Sequence, residues 1–497
     1  MQSKYDIAII GSGLGGLACG YILSKNGYKV AIFEQGEQFG GCLQTFKRRG
    51  AKFETGVHYI GSMGEGQTLN RFFRYLSLFP DVRISPLDPQ GFDVVSFKGE
   101  RYRYAAGYDN FVETLAQKFP AERNNLKRYV AAMREVVQAS PFHSAGDSAD
   151  LFQFSSSYAT TSVNDFIASH TSDATLQNVL AGLVPLYAGV KDKTPMFVHV
   201  FINDSNISGA CRIMGGSDKI AESLIRSIRS FGGELFASSK IKKIVCDSAK
   251  ATGVTLEDGT HIAADYVISN AHPERTIDMI DSNLLRPAYR NRIREMEQTI
   301  SNFTVYLKFK KNTIPYMNYN YYHYNGDQVW DGENYTEQDW PRGYLYMHLC
   351  PEEPSFYAQT AEMLTIMRFE EVAQWLGAKV ERRGEAYRDF KKRRAEKALA
   401  QLERDFPGTL ANVEAYYTST PLTYADYTGT KNGAAYGVMR DVNAPRIAHR
   451  TKIPNLMLTG QNTNSHGIMG VIIGAIITCS DFLGRDFLWK QITTCSP

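Results

Sequence analysis

One stretch near the start constrains the fold more than any other. Residues 5–10 (YDIAII) form an apolar run rich in β-branched side chains, as in a strand buried on both faces of a parallel sheet. The run leads directly into Gly11-Ser12-Gly13-Leu14-Gly15-Gly16. Residues 17–25 then read as a helix, with Leu17, Tyr21 and Ile22 at helical spacing and Asn26-Gly27 as its stop. Residues 29–33 (KVAIF) are a second short strand, ending on Glu34. Strand, glycine turn, helix, strand and acid, in that order, make up the dinucleotide-binding fingerprint in its full context. Gly11 permits the tight turn, Gly13 lets the backbone approach a pyrophosphate, and Gly16 lets the helix pack close on the sheet. The helix N-terminus offers free N–H groups and a positive dipole end to the anion. Glu34 stands about 20 residues on, where a ribose-binding acid is expected.

The chain continues with Gly40-Gly41, Thr45, Gly50, Phe53 and Thr55-Gly56. A plain nicotinamide enzyme needs no such extension. It resembles the extended N-terminal motif of FAD enzymes, in which a second glycine pair lets the chain pass close to the flavin end of the cofactor. The position after that pair, often Arg or Lys in those enzymes, is Cys42 here.

At 497 residues the chain is too long for one ordinary core, so two or more domains are expected. Its net charge of +3 is too small to suggest a nucleic-acid partner. The seven cysteines are scattered with no CxxC, which indicates neither a zinc site nor a disulfide scaffold and points to a reducing compartment. Residues 1–4 precede the first strand directly and leave no room for a signal peptide. Residues 468–477 are apolar, but the segment is short and carries Gly470 and Gly474, unlike a spanning helix. A cytoplasmic location is the expectation, with peripheral membrane contact left open.

Further along, residues 68–79 read as a helix with Leu69, Phe72, Phe73, Leu76 and Phe79 on one face. Residues 94–104 read as a hairpin around Lys98-Gly99-Glu100. Residues 111–119 and 126–137 are amphipathic helices, and 163–170 and 175–183 look helical too. Residues 142–162, rich in Ser, Phe and Ala, read as a mobile connection or lid. This middle region has no phosphate-binding glycine pattern and is read as substrate domain. Residues 316–346 carry ten Tyr and Trp residues, either a hydrophobic tunnel or membrane-facing rim, or a sheet surface packed on its own domain. Residues 387–406 read as a charged helix with Lys391, Lys392, Arg393 and Arg394 on a solvated face. Weak attraction to anionic lipid is the alternative.

Between these stretches the dinucleotide pattern resumes. Gly215-Gly216-Ser217 precedes an amphipathic helix at 218–230, stopped by Gly232-Gly233. Strands follow at 241–246, 251–256, 261–263 and 265–269, with Asp258-Gly259 as a hairpin turn and Asn270-Ala271 at the end. Near the C-terminus residues 455–459 (NLMLT) form a strand ending at Gly460-Gln461, and His466-Gly467 opens an apolar helix through 478. These segments resemble the phytoene desaturase, carotenoid isomerase and retinol saturase family of FAD-dependent oxidoreductases. Gly40-Gly41-Cys42, Thr55-Gly56-Val57-His58-Tyr59, Pro421-Leu422-Thr423 and Ala435-Tyr436-Gly437 fit the same pattern, so the resemblance spans nearly the whole chain. Many flavoproteins have Asp after the C-terminal glycine; Gln461 can hydrogen-bond there but adds no charge.

The resemblance implies an α/β fold: a Rossmann-like FAD-binding domain, discontinuous in sequence, with an α+β substrate domain containing a mixed sheet. Residues 1–105, 205–290 and 440–497 are assigned to the first, and 106–204 and 291–439 to the second. The implied FAD contacts are Gly11, Gly13, Leu14, Gly15, Gly16, Glu34, Gln35, Gly40, Gly41 and Cys42. Ile241 meets the adenine through its backbone, and Asn270, Gly460, Gln461, Gly470 and Val471 complete the set.

No Ser/His/Asp arrangement stands out by spacing, and no metal-ligand cluster appears among the ten histidines. The hard chemistry is then the flavin's, while the protein supplies position and a dry pocket. A flavin above a lipophilic chain can exchange hydride at a carbon–carbon bond, and so can saturate, desaturate or reversibly isomerise a polyene. His58, Tyr59, Tyr436 and His466 are the candidate proton donors or positioners, with packing around the cofactor as the alternative for each. Three readings follow: an oxidoreductase or isomerase of polyene or isoprenoid lipids, a flavin amine oxidase-like or porphyrinogen oxidase-like enzyme, and a non-catalytic prenyl-lipid-binding protein of the Rab escort type. The electron partner is left open. No second complete GxGxxG unit suggests a nicotinamide domain.

Overall fold

The opening fingerprint folds as its spacing predicts: Lys4–Ile10 is a strand, Leu14–Lys25 a helix and Val30–Phe33 the next strand. The computed structural model describes residues 2–140, 142, 156–380 and 382–495. Among these, two seven-stranded sheets form the framework.

In the first sheet Lys4–Ile10 lies between Val30–Phe33 and His261–Ser269, parallel to both. Glu234–Phe236 extends one edge in parallel beyond Val30–Phe33. Beyond His261–Ser269 come Ala251–Leu256 and Ile241–Cys246, both antiparallel. The sequence splits residues 261–269 into two strands, but the structure has one. Its start pairs with Ala251–Leu256, its length with Lys4–Ile10 and its end with Leu456–Leu458, so no stretch of its backbone is released to break. Through Leu456–Leu458, which pairs in parallel, the C-terminal segment enters the same sheet as the opening strand. The two glycine-led helices, Leu14–Lys25 and Gly467–Leu483, share one core with Asp218–Ser230, filled by Leu17, Ile22, Ile220, Leu224, Ile472 and Ile476.

The second sheet runs in the order Val413–Ser419, Ser301–Phe309, Thr360–Met367, Gly343–His348, Asn320–Tyr324, Asp93–Phe97, Glu100–Tyr104. It is mixed, with Asn320–Tyr324 parallel to Asp93–Phe97 and the other pairs antiparallel. The hairpin at 93–104 therefore belongs to this layer rather than with the rest of segment 1–105. Pairing of Tyr321 with Val94 and Tyr322 with Val95 draws it there.

Of the two readings of the aromatic stretch, the sheet packed on its own domain holds, and the reading of the basic helix is corrected. The aromatic stretch packs inward: Tyr321, Tyr322 and Tyr346 are at most 1% exposed, and Trp340 and Tyr344 join the same layer. It is not a membrane-facing rim. The basic helix, Gly384–Asp405, does not keep all its cations in water. Arg394 is 7% exposed, pairs with Glu371 and stacks 4.9 Å over the Trp340 ring. The helix turns Ala395, Ala398 and Leu402 to the core, and Arg394, next to that face, goes in with a partner. Most of the expected lid at 142–162 lies outside the described residues; its last part holds the short helix Ser156–Thr160. The buried helix Met196–Ile207 has no counterpart in the sequence reading. Among the described residues no helix is long and apolar enough to cross a membrane.

Candidate active site

A cavity of about 710 Å³ lies where the C-terminal ends of the parallel strands meet the second sheet. In open parallel sheets this is the general ligand position. One wall is the fingerprint turn (Gly11, Gly13, Leu14, Gly15) with Glu34, Gln35, Gly40, Gly41 and Cys42. Ile241, Asn270, Gly460, Gln461 and Val471 line it too. Segments far apart in sequence thus converge on one space.

Their junction is tight. Gly40 N–H donates to the Ser12 carbonyl and to Ser12 Oγ, both at 3.2 Å, which ties the second glycine pair to the first turn. A Cβ at Gly15 would lie 2.5 Å from Asn270 Oδ1 and 2.8 Å from Gly460 Cα, and a Cβ at Gly16 would lie 2.1 Å from the Gly11 carbonyl oxygen. Gly16 therefore serves helix packing and does not line the cavity. Gly470 likewise does not; it backs onto Ser465.

The residues present fit a dinucleotide. The first helical N–H bond runs from Leu17 to the Gly13 carbonyl, so the donors of the preceding turn remain for an anion in the cradle of Gly13 and Gly15. A second helix N-terminus, at Gly467 and Ile468, faces the same space. Glu34 Oε2 accepts from Ser12 N–H (3.0 Å) and Ser12 Oγ (2.6 Å), and Oε1 from Gly36 N–H (2.9 Å). This fixes the carboxylate at the cavity wall with acceptor capacity to spare for a ribose hydroxyl. Burial pushes the Cys42 thiol up to about 11, so it stays a neutral thiol. Gln461 is neutral as well, and its backbone carbonyl accepts from buried Arg440 (2.9 Å).

The four candidates for acid–base work separate. Tyr436 lines the cavity, and burial pushes its hydroxyl far above the usual range. His466 sits behind it, ring centroids 4.7 Å apart; burial and Arg440 hold its imidazole down at about 3, so it is neutral. Tyr59 turns away from the cavity to the second sheet, donating to Asp93 (3.0 Å) and sharing a 2.6 Å hydrogen bond with Tyr322. Burial pushes Asp93 up to about 7 against the opposing effect of Asn320, Tyr59 and Arg212.

His58 lines the cavity with its side chain 11% exposed. Its Nδ1 lies 3.1 Å from Glu362 Oε2 and 3.7 Å from Glu54 Oε2. Burial alone would lower this imidazole, but Glu362 and Glu54 outweigh it and raise the group to about 9. At neutral pH His58 is therefore a cation at the cavity wall. Glu362 comes from the interior of strand Thr360–Met367, fully buried, and accepts from Glu54 N–H (2.8 Å). Glu54 in turn accepts from Ser217 N–H (3.2 Å), the serine of the Gly215-Gly216-Ser217 motif. Sequence reasoning missed Glu54, Glu362, Asp93 and buried Arg212. The available signal for Glu362 was a lone acid in the apolar run TAEMLTIM.

The sequence profile described as "Flavin containing amine oxidoreductase" matches residues 14–479. The chain belongs to this family. A flavin carried in a dinucleotide fold is FAD, and family members of this kind are FAD-dependent oxidoreductases. The human all-trans-retinol 13,14-reductase is 27% identical over 532 residues, covering 98% of this chain and 87% of that protein. The chloroplastic prolycopene isomerase of Daucus carota is 22% identical, covering 88% of this chain and 72% of that one. Among solved structures, an oxidoreductase from Methanosarcina mazei superposes with a TM-score of 0.67 at 17% identity, covering 96% of this chain and all of that one. At that identity the likeness shows the shared family fold, the α/β FAD-binding framework with a second, mixed-sheet layer.

Proposed function

We propose that this flavoenzyme acts on a carbon–carbon double bond of a lipophilic polyene or isoprenoid. The observation that carries the reading is the second-sheet side of the cavity, lined by Val184, Leu186, Val329, Leu345, Leu364 and Ile366. Such a wall suits a hydrocarbon chain, whereas an ammonium group would meet the cationic His58. The named activities of the human and carrot relatives, on retinol and prolycopene, support the same class.

In this reading the segments of the first sheet hold FAD and the second-sheet half shapes the substrate pocket. Gly13 and Gly15 cradle the pyrophosphate at the N-terminus of Leu14–Lys25, Glu34 takes the ribose, and Gly460 to Val471 lie along the flavin. When bound, the flavin supplies hydride exchange with carbon. His58 supplies or takes the accompanying proton, and Tyr436 and His466 pack as a neutral pair beside it. Peripheral membrane contact belongs to the reading as well: Leu376 and Val380, 56% and 40% exposed, flank exposed Lys379 on one loop.

The test is anaerobic. Protein carrying reduced flavin is mixed with all-trans-retinol or with a primary amine, and a second sample with oxidised flavin is treated likewise. Flavin absorbance that responds to the polyene in either redox state, with a changed polyene recovered by mass spectrometry, supports the proposal. Bleaching of the oxidised protein by the amine alone would overturn it.

A further inference from the structure

The buried acids beside His58 bear on the direction of the reaction. Glu362 sits in the middle of a sheet, Thr360–Met367 being paired on both edges, by Ser301–Phe309 and Gly343–His348. A carboxylate there is costly unless a cation answers it. Its Oε1 is taken by Glu54 N–H, while Oε2 and His58 Nδ1, neither of which makes a hydrogen bond, face each other at 3.1 Å as an ion pair. Glu54, 6% exposed, closes on the same ring nitrogen. One edge of the imidazole is thus committed to two buried carboxyl groups, Glu54 raised by its burial against the pull of His58 and Arg212, while the ring borders the cavity.

We propose that Glu362 is a positioning residue that, with Glu54, holds His58 as an imidazolium proton donor to the substrate, so that the site works toward saturation of the double bond. This rests on the polyene reading above. In the step, one olefinic carbon receives a hydrogen with two electrons as hydride from the reduced flavin. The adjacent carbon receives H⁺ from His58 Nε2. The π bond, the reduced flavin's bond to the transferred hydrogen and the His58 N–H bond are lost, two C–H bonds form, the flavin is left oxidised by two electrons, and neutral His58 recovers its proton from water. A two-electron reductant, dithionite in the test, restores the flavin. Desaturation in the same geometry would need the ring as a base, the form that two adjoining carboxylates disfavour.

The other groups around this cluster do not reverse the assignment. Arg212 acts on Glu54 from strand Cys211–Ile213. Tyr306 and Tyr424 face Glu362, and Cys350 faces Glu54; burial raises all three, so they are neutral at ordinary pH. Arg212 tempers the negative field at Glu54, while among the described residues His58 is the one cation paired with Glu362.

The isosteric Glu362→Gln variant keeps the shape and removes the charge, and Glu54→Gln is the second. Histidine-labelled protein is titrated by NMR, with His58 assigned from its loss in His58→Gln. The wild-type signal should titrate near 9, and Glu362→Gln should move it toward 6.5. Dithionite-reduced holoenzyme is then followed with all-trans-retinol across pH. The wild-type rate should fall as pH rises through about 9, and the Glu362→Gln rate should fall at a lower pH by the same displacement, with deuterium from D₂O entering one carbon of the product. An unmoved His58 signal, or an unmoved pH profile in a variant that still turns over, would overturn the inference. No retinol turnover by wild type, with the His58 signal still near 9, would sink the polyene reading and the donor role with it.

Discussion

Gly15 is not demanded by the GxGxxG pattern, yet the structure leaves it no room for a side chain. In Gly15→Ala the new Cβ would stand 2.5 Å from Asn270 Oδ1, 2.8 Å from Gly460 Cα and 2.9 Å from Gly460 N, where ordinary contact is 3.4–4 Å. Asn270 can rotate. Gly460 cannot yield easily, because the preceding Thr459 N–H is bonded to the Ser269 carbonyl at 2.9 Å. Overpacking of this kind costs about 1–3 kcal/mol. Relief comes by driving Gly460 away from the fingerprint turn, which spreads the two pieces that together line the cavity. If that strain is borne by the loaded form, FAD affinity falls roughly 5- to 150-fold, a factor of ten for about every 1.4 kcal/mol. The assay is titration of apoprotein with FAD by flavin fluorescence, beside the denaturation midpoint in urea. Gly36→Ala is the control: it lies in the same cofactor-side region, but its nearest neighbour would be 3.5 Å away, so it should behave as wild type. Gly15→Ala binding FAD as tightly as Gly36→Ala would refute the reasoning.

Other outcomes are expected on the same grounds. Glu34→Ala should lose FAD on dialysis, since it removes the acid fixed by Ser12 and Gly36; unchanged occupancy would count against the ribose role. Arg394→Ala should lose about 3–5 kcal/mol in denaturation because it strands Glu371 beside the core, and a loss under about 1 kcal/mol would show the pair to be dispensable. His58 has a folded-state value above its unfolded one, so its contribution is fully present below 6.5 and lost as pH rises through about 9. The stability gap between wild type and His58→Gln should therefore narrow over that window, and a constant gap would contradict the ion-pair picture. Co-sedimentation with phosphatidylserine vesicles should weaken in a Leu376→Ser/Val380→Ser variant; equal binding by both proteins would remove that loop from the membrane reading.

What the sequence reveals follows the range of the interactions involved. The fingerprint was legible because its glycines, strand runs and Glu34 are encoded within 34 residues and mean the same thing in any such fold. The C-terminal strand and glycine-led helix were legible for the same local reason. The hairpin at 93–104 was also read correctly, but not its sheet, since partners are chosen by Asn320–Tyr324 more than two hundred residues away. His58 and Tyr59 came as a pair from one motif, but outside a helix successive side chains diverge, and only His58 reaches the cavity. Glu362 was missed because a lone acid in a strand is ambiguous until register is known. Here that register sets Glu362 opposite Tyr306 and Met347 in mid-sheet, where it must find a cation. Arg394 was misplaced on the solvated face because a basic run does not disclose which member finds a buried carboxylate.

The strand Leu456–Leu458 and the turn at Gly460 have a consequence for biosynthesis. A ribosome delivers the glycines of the first turn early and the piece that packs against them hundreds of residues later. Until that late piece emerges, the growing polypeptide offers a half-built pocket and should exist as a colourless species. On the proposed reading, loading follows the emergence of Leu456–Leu458 and Gly460, and a nascent chain stalled before them should retain no flavin.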